Sequence, residues 1–256
     1  MGTLFSSLAI GRAGLGIAQV QLDVTGHNIS NVNKEGFSRQ RVDLTTRLPN
    51  VKSYGALGRG PAIEGVNRIR DGFLDKVYRQ QVPGLGNTEL QANFFARLED
   101  IFNEPGDEGF ADSLNAFFDS MNDFANNVEE LPVRVATLAQ ADAIAASFRD
   151  IDSRLNTLRI NANEEVRNLV PDINSLGTRI AELNESIAKI EVGGRTANDL
   201  RDDRDVLLDE LARIVNIQTN ERDDGQIDVF LGGDTFVNGN ITRELETVPN
   251  ATIDHD

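Results

Sequence analysis

The sequence predicts a mainly α protein: a long-helix, coiled-coil-like bundle with an extended N-terminal arm and a small antiparallel β-meander at its C-terminal end. Three observations carry this. Phe148, Leu155, Ala162, Leu169, Leu176, Leu183 and Ile190 keep a strict period of seven. Paired seven-residue series near the N-terminus run into an Asn-rich turn, and after residue 214 the apolar period becomes two.

Composition bounds the rest. With 256 residues and 39% apolar side chains, the chain can build a substantial core. It has no cysteine, which excludes disulfides, thiolate metal sites and cysteine nucleophiles. No run of 18 apolar residues is present, so no membrane insertion is expected, and the N-terminus lacks the basic residues that open a signal peptide. The net charge of −16 is uneven: residues 1–82 carry 11 Lys/Arg against 6 Asp/Glu, and residues 83–256 carry 14 against 35. An acidic body disfavours nucleic acid, while a mildly basic arm suits a protein partner.

The first helix carries Leu8, Leu15, Leu22 and Ile29 at seven-residue intervals, with Leu4, Gly11, Ala18 and Thr25 as a companion series. This is a seam for another helix. Gly11, Gly14 and Gly16 each cost about 1 kcal/mol relative to Ala, so the segment should order only when packed. Residues 1–30 are therefore expected to be mobile in an isolated monomer and helical in an assembly. Asn28, Asn31 and Asn33 favour a turn, Gly36 permits a left-handed backbone, and Phe37 anchors the chain afterwards. Val42 and Leu44 alternate as in a strand over 38–46, a Gly/Pro loop follows from Pro49 to Pro61, and residues 62–66 read as a short strand.

Helical spacing resumes at Phe73, Val77 and Gln80, with an interruption expected at Pro83-Gly84, and continues from Leu90 to Phe102. Phe110, Phe117 and Phe124, with Leu114, Met121 and Val128, define a heptad helix. Pro132 suits the start of the long helix; Pro171 lies inside it and predicts a kink rather than an end, because the apolar series crosses it. Gly193-Gly194 closes that helix, and Asn198 opens the next with Leu200, Leu207, Leu208 and Leu211 facing inward. Val215, Ile217 and Thr219, then Ile227, Val229 and Leu231, alternate around an Asp224-Gly225 hairpin turn.

The organisation expected is an assembly arm over 1–47, a Gly/Pro loop and short strand over 48–70, a helix bundle over 71–213, and a meander over 214–256 that begins a truncated second domain. Asp199, Asp202, Asp203, Asp205, Asp209 and Glu210 alternate with Arg201 and Arg204, which reads as a solvated, salt-bridged face rather than a metal site. His27 and His255 have no spaced partners, and Gly55, Gly58 and Gly60 lack the Lys-Ser/Thr of a phosphate loop. No catalytic, cofactor or metal residues are assigned, and no enzyme is predicted.

Two stretches carry a resemblance. Leu22 to Val42 is similar to the N-terminal signature of the bacterial flagellar axial proteins, the rod, hook and hook-associated family, with Asn28, Asn31, Val32, Gly36 and Phe37 on its typical positions. Lys34-Glu35 stands where that signature commonly has Thr-Pro. The second stretch, Asn198, Asp199, Leu200, Asp202, Arg204, Asp205, Leu208 and Leu211, resembles the Asn-Asp-Leu-x-Asp-x-Arg-Asp pattern of hook-associated members. Physically, Asn198 can cap the helix, Asp199 and Asp202 favour its positive end, and Arg204 can reach acids one turn away.

The resemblance implies a secreted, extracellular structural subunit of the bacterial flagellum, exported without a cleavable signal and joining hook to filament without cofactors. It implies partners as well: copies of the same chain in the flagellar axis, hook protein, a second hook-associated junction protein, and an export chaperone acting through a C-terminal part beyond Asp256. It further implies that Leu4, Leu8, Leu15, Ala18, Leu22, Asn28, Ile29, Asn31, Val32, Gly36 and Phe37 form an assembly interface, whose usual partner helix lies outside this chain. A soluble coiled-coil binding module, or another rod or hook-type axial protein, is the alternative.

Overall fold

In a computed structural model, which describes residues 2–53, 55–103 and 109–248, the chain is mainly helical with a small antiparallel sheet at its C-terminal end. It divides into two compact units, the first built from Met1–Pro83 and Asp172–Glu246 and the second chiefly from Gly84–Pro171.

The first unit begins with α1 (Gly2–Ser30), as the heptad series predicts. After the Asn-rich turn, β1 (Gln40–Thr46) pairs antiparallel with β4 (Pro61–Arg68), Val42 facing Val66, with a bulge between Asp43 and Leu44. Between them, β2 (Asn50–Lys52) and β3 (Gly55–Leu57) form a small hairpin where the sequence suggested only loop. Its Gly55 has φ +133°, a backbone that glycine adopts without steric cost.

α1 packs on the β1–β4 ribbon through a face that the leucine series does not reveal. Ile17 is buried at 8% exposure, Val24 is half-buried, and Ile10 lies so close to Gly60 that an added Cβ there would sit 3.2 Å from its Cγ2. Ile10, Ile17 and Val24 are themselves seven residues apart, two positions on from Leu8, Leu15 and Leu22, hence about 200° around the helix. The glycine-rich helix thus has an intrachain support.

α4 (Leu131–Glu191) supplies its last turns to the same unit and α5 (Asn198–Ile214) packs beside them. The meander runs β5 (Ile217–Glu221), β6 (Ile227–Leu231), β7 (Asp234–Asn238), β8 (Ile241–Thr242) in sequential antiparallel order. Read from sequence as the opening of a further domain, it shares one core with both helices: Ile173, Leu176, Ile180 and Ala181 meet Leu207, Leu208, Leu211 and Ala212, and Ile217, Ile227, Val229, Phe236 and Val237 close it. Gly177 makes this possible, since a Cβ there would fall 2.5 Å from Phe236 Cζ.

The second unit comprises the later part of α2 (Gly72–Phe102), α3 (Phe110–Asn126) and the earlier part of α4. Phe110 lies edge-on to Phe102 and Phe148, with ring centroids 6.2 and 5.0 Å apart. Leu114, Phe117 and Phe124 are half-buried with it, whereas Met121 and Val128 are exposed.

Two expectations about prolines divide. α4 continues through Pro171 as predicted. α2 also continues through Pro83, where an interruption was expected, because a proline within a long helix removes only one intrahelical bond and neighbouring turns hold the rest.

Candidate assembly site

The turn after α1 is held by its asparagines. Asn28 donates from Nδ2 to Gln40 O at 2.9 Å and accepts at Oδ1 from Gln40 N at 2.8 Å, clipping the start of β1 to the end of the helix. Asn31 donates from both backbone and side chain to His27 O, which satisfies a carbonyl left open at the helix end. Gly36, at φ +76°, lies against α5: a Cβ there would be 2.1 Å from Val206 Cγ2. Glycine is therefore required twice, for the left-handed backbone and for the close approach.

Around this contact the arm and α5 exchange a ladder of polar bonds. Gln40 Nε2 donates to Asp199 Oδ1 at 2.7 Å, with His27 Nε2 at 3.2 Å from the same oxygen. Ser38 N donates to Asp202 Oδ2 at 2.8 Å, and Lys34 Nζ to Asp203 Oδ1 at 2.8 Å. Arg68 Nη1 bridges Asp202 and Asp205, both at 2.7 Å. Arg79 reaches Asp209 at 2.6 Å and Asp205 at 3.2 Å, while Arg70 pairs with Asp75 and lies 3.5 Å from Asp205.

The acidic face is salt-bridged as its spacing suggested, but at Asp202 and Asp205 it is a buried dock rather than a solvated surface, while Asp199 and Glu210 remain exposed. Asp202 and Asp205 are buried, as is Arg79. Burial alone would raise Asp205, yet Arg68, Arg70 and Arg79 outweigh it and hold its carboxyl below the ordinary value. The basic bias of residues 1–82 thus finds its counter-charge on α5. Sequence reasoning missed Arg68, Arg70 and Arg79, although the uneven charge was the available signal.

Asn198 does not cap α5 with its side chain; Ala197 is the N-cap residue, and Asn198 Nδ2 donates across to Val66 O at 2.7 Å. Gluing the ribbon satisfies a strand carbonyl, while Glu191 Oε1 takes the Ala197 N–H at 3.0 Å. Nor does Arg204 pair with acids. Its Nη1 donates to Asn184 Oδ1 at 2.9 Å and to Gly225 O at 2.6 Å, tying α5 to α4 and to the β5–β6 turn. Burial pushes its guanidinium down to about 10. Asn184, fully buried, also donates to Ile227 O and Gly239 O, so one amide organises the β5–β6 and β7–β8 turns. Leu208 and Leu211 are buried and Leu200 half-buried, as read; Asp199 is exposed.

The remaining interface candidates are open. Leu8, Leu15, Leu22 and Ile29 are 70–75% exposed in one row, and Ala18 is exposed with them at the side. The Leu4 side chain lies outside the described residues. Asn28, Ile29, Val32 and Phe37 line a groove of about 660 Å³ with Arg39 and Ile69. Among the described residues, no three His, Cys, Asp or Glu side chains are grouped to hold a metal ion, and no helix is long and apolar enough to cross a membrane.

The site is thus an N-terminal arm locked onto α5 beside a row of exposed leucines on a long-helix protein. Residues 95–256 match the flagellar hook-associated protein FlgK helical domain, and the chain belongs to that family. It is 34% identical to flagellar hook-associated protein 1 of Bacillus subtilis over 232 residues, covering 88% of this chain and 46% of that protein. Against the protein of the same name from Salmonella typhimurium the identity is 28% over 242 residues, covering 93% and 44%. The solved flagellar hook junction protein FlgK from Burkholderia pseudomallei superposes with a TM-score of 0.55 at 25% identity, over 68% of this chain and 30% of that one. The chain spans about half the length of the curated relatives it matches.

Proposed function

We propose that this chain belongs to a structural subunit of the bacterial flagellum that assembles at the junction of hook and filament. The single observation that carries the reading is the row Leu8, Leu15, Leu22 and Ile29, uncovered on a helix whose opposite side is already packed. Four aligned apolar side chains at a seven-residue period form a seam that a second helix closes. Family membership supports the flagellar setting.

On this reading α1 is presented, not merely flexible. The Asn-rich turn and the arginine ladder fix the direction in which it leaves the body, and neighbouring subunits supply the helix that covers the leucines. Copies of the same chain, hook protein and a second hook-associated junction protein are the proposed partners, reached outside the cell by an export route that uses no cleavable signal. A chaperone acting during export is a further proposed partner.

The test places Leu15→Asp with Leu22→Asp in the complete protein in a flagellated bacterium. The expected outcome is loss of incorporation at the junction, with filament monomers shed and motility lost, while the purified variant keeps its melting temperature. Normal incorporation would overturn the proposal. A soluble binding module would instead keep its motility function and lose only a partner that does not belong to the flagellum.

A further inference from the structure

A cavity of about 410 Å³ in the first unit is lined by Arg68, Arg70, Lys76, Arg79 and Arg204, together with Asp75, Asp205 and Glu221. The carboxylates are engaged: Asp75 by Arg70, Asp205 by Arg68, Arg70 and Arg79, and Glu221 by Arg201. Two cations are not. Lys76 has no ion pair among the described residues, and Arg204, at 1% exposure, hydrogen-bonds only to the Asn184 amide oxygen and the Gly225 carbonyl. Its Nε is buried with no hydrogen-bond partner. The first turn of α2, with Gly72 and Phe73, forms part of the same wall.

A buried guanidinium with a free N–H and no carboxylate bonded to it is costly, because the charges of nearby Asp205 and Glu221 only partly offset its desolvation. The remedy is an acceptor carrying negative charge, and guanidinium forks suit the planar or tetrahedral oxygens of oxyanions. We propose that this cavity binds one oxyanion group between Arg204 and Lys76; the start of α2 adds no donor, because Asp71 Oδ1 already accepts the Phe73 and Leu74 N–H groups. The group is either a free inorganic oxyanion or a carboxylate from an adjoining copy of the chain. The volume admits either, and neither depends on the leucine row of α1.

The test exchanges sodium chloride for sodium sulfate, and in a second arm for sodium acetate, at constant ionic strength and follows the melting temperature of the chain. Expected is a saturable rise in sulfate, which Lys76→Met shifts to at least tenfold higher concentration and Arg204→Lys removes, each variant retaining its helical circular dichroism. Sulfate also stabilises proteins generally by exclusion from their surfaces, but that effect is linear and indifferent to either substitution. A linear rise, or an equal one in Lys76→Met, overturns the proposal.

The two sources separate in a sedimentation experiment. If an adjoining copy supplies a carboxylate, sulfate at the saturating concentration weakens self-association and acetate mimics it. If the ligand is a free oxyanion, self-association is unchanged while the saturable thermal shift persists.

Discussion

Arg68, at the last position of β4, meets Asp205 of α5 at 2.7 Å, with side chains only 14% and 7% exposed. Residues 137 apart in sequence are thereby joined where water is largely excluded. Ion pairs of this kind add modest net stability when whole but are costly to break, because the surviving charge is left buried. Asp205→Asn should lower stability by about 3 kcal/mol, near the low end for a buried pair because Asp202, Asp75 and Asp209 still serve the arginines. Chemical denaturation of the variant measures it; a loss within 0.5 kcal/mol would count against the dock as the arm's anchor.

The same pair sets an acid limit. Although burial opposes it, the surrounding arginines keep Asp205 below its ordinary value of 3.8, and Arg201 with the Ala197 N–H does the same for Glu191 against its own burial. Folded values below unfolded ones mean that this stability is complete above about pH 5 and is lost as pH falls through the folded values. Melting temperatures should hold from pH 7 to about 5 and then fall, and Asp205→Asn should flatten part of that fall. An acid slope identical in wild type and variant would show that the dock does not titrate.

Gly36→Ala should destabilise the arm by about 2 kcal/mol, combining a left-handed backbone with the close approach of Val206. Val206→Ala removes the obstruction but not the backbone strain. The double variant is therefore expected to recover about half of the loss, and a double-mutant cycle in urea reads the coupling. Simple additivity would mean that the two residues do not meet.

α1 offers two substitutions two positions apart with opposite expectations. Ile17→Ala opens a gap against the ribbon and should cost about 2 kcal/mol, whereas Leu15→Ala, at 75% exposure, should stay within about 0.5 kcal/mol. Hydrogen exchange gives a second reading. Amides around Ile17 to Asn31 should be protected in the monomer, against the sequence expectation that residues 1–30 order only in an assembly. Uniformly fast exchange through Ser30 would show that the ribbon does not hold α1.

Asn184→Leu, a change of similar volume, should cost about 3 kcal/mol or more. It strands the Ile227 and Gly239 carbonyls, the Ile227 N–H and one Arg204 N–H inside the core. Thermal unfolding checks it, and a near-neutral result would show that these groups find water instead.

By itself the sequence determined what local chemistry decides. Heptad leucines and isoleucines marked α1 and α4 and heptad phenylalanines marked α3, glycines and Asp224-Gly225 placed the turns, and alternating residues from Ile217 to Leu231 marked the meander, because helical and strand periods are written in adjacent positions. The exposed row on α1 was legible for the same reason. Only the tertiary structure decided what the polar residues do. Arg68, Arg70 and Arg79 lie more than 120 residues from Asp205, so the charge spacing on α5 could not distinguish a solvated face from a dock, and Asn198 and Arg204 turned from local capping to long-range bonds. Side-chain polarity fixes what must be satisfied; which partner satisfies it depends on chain segments that periodicity cannot bring together.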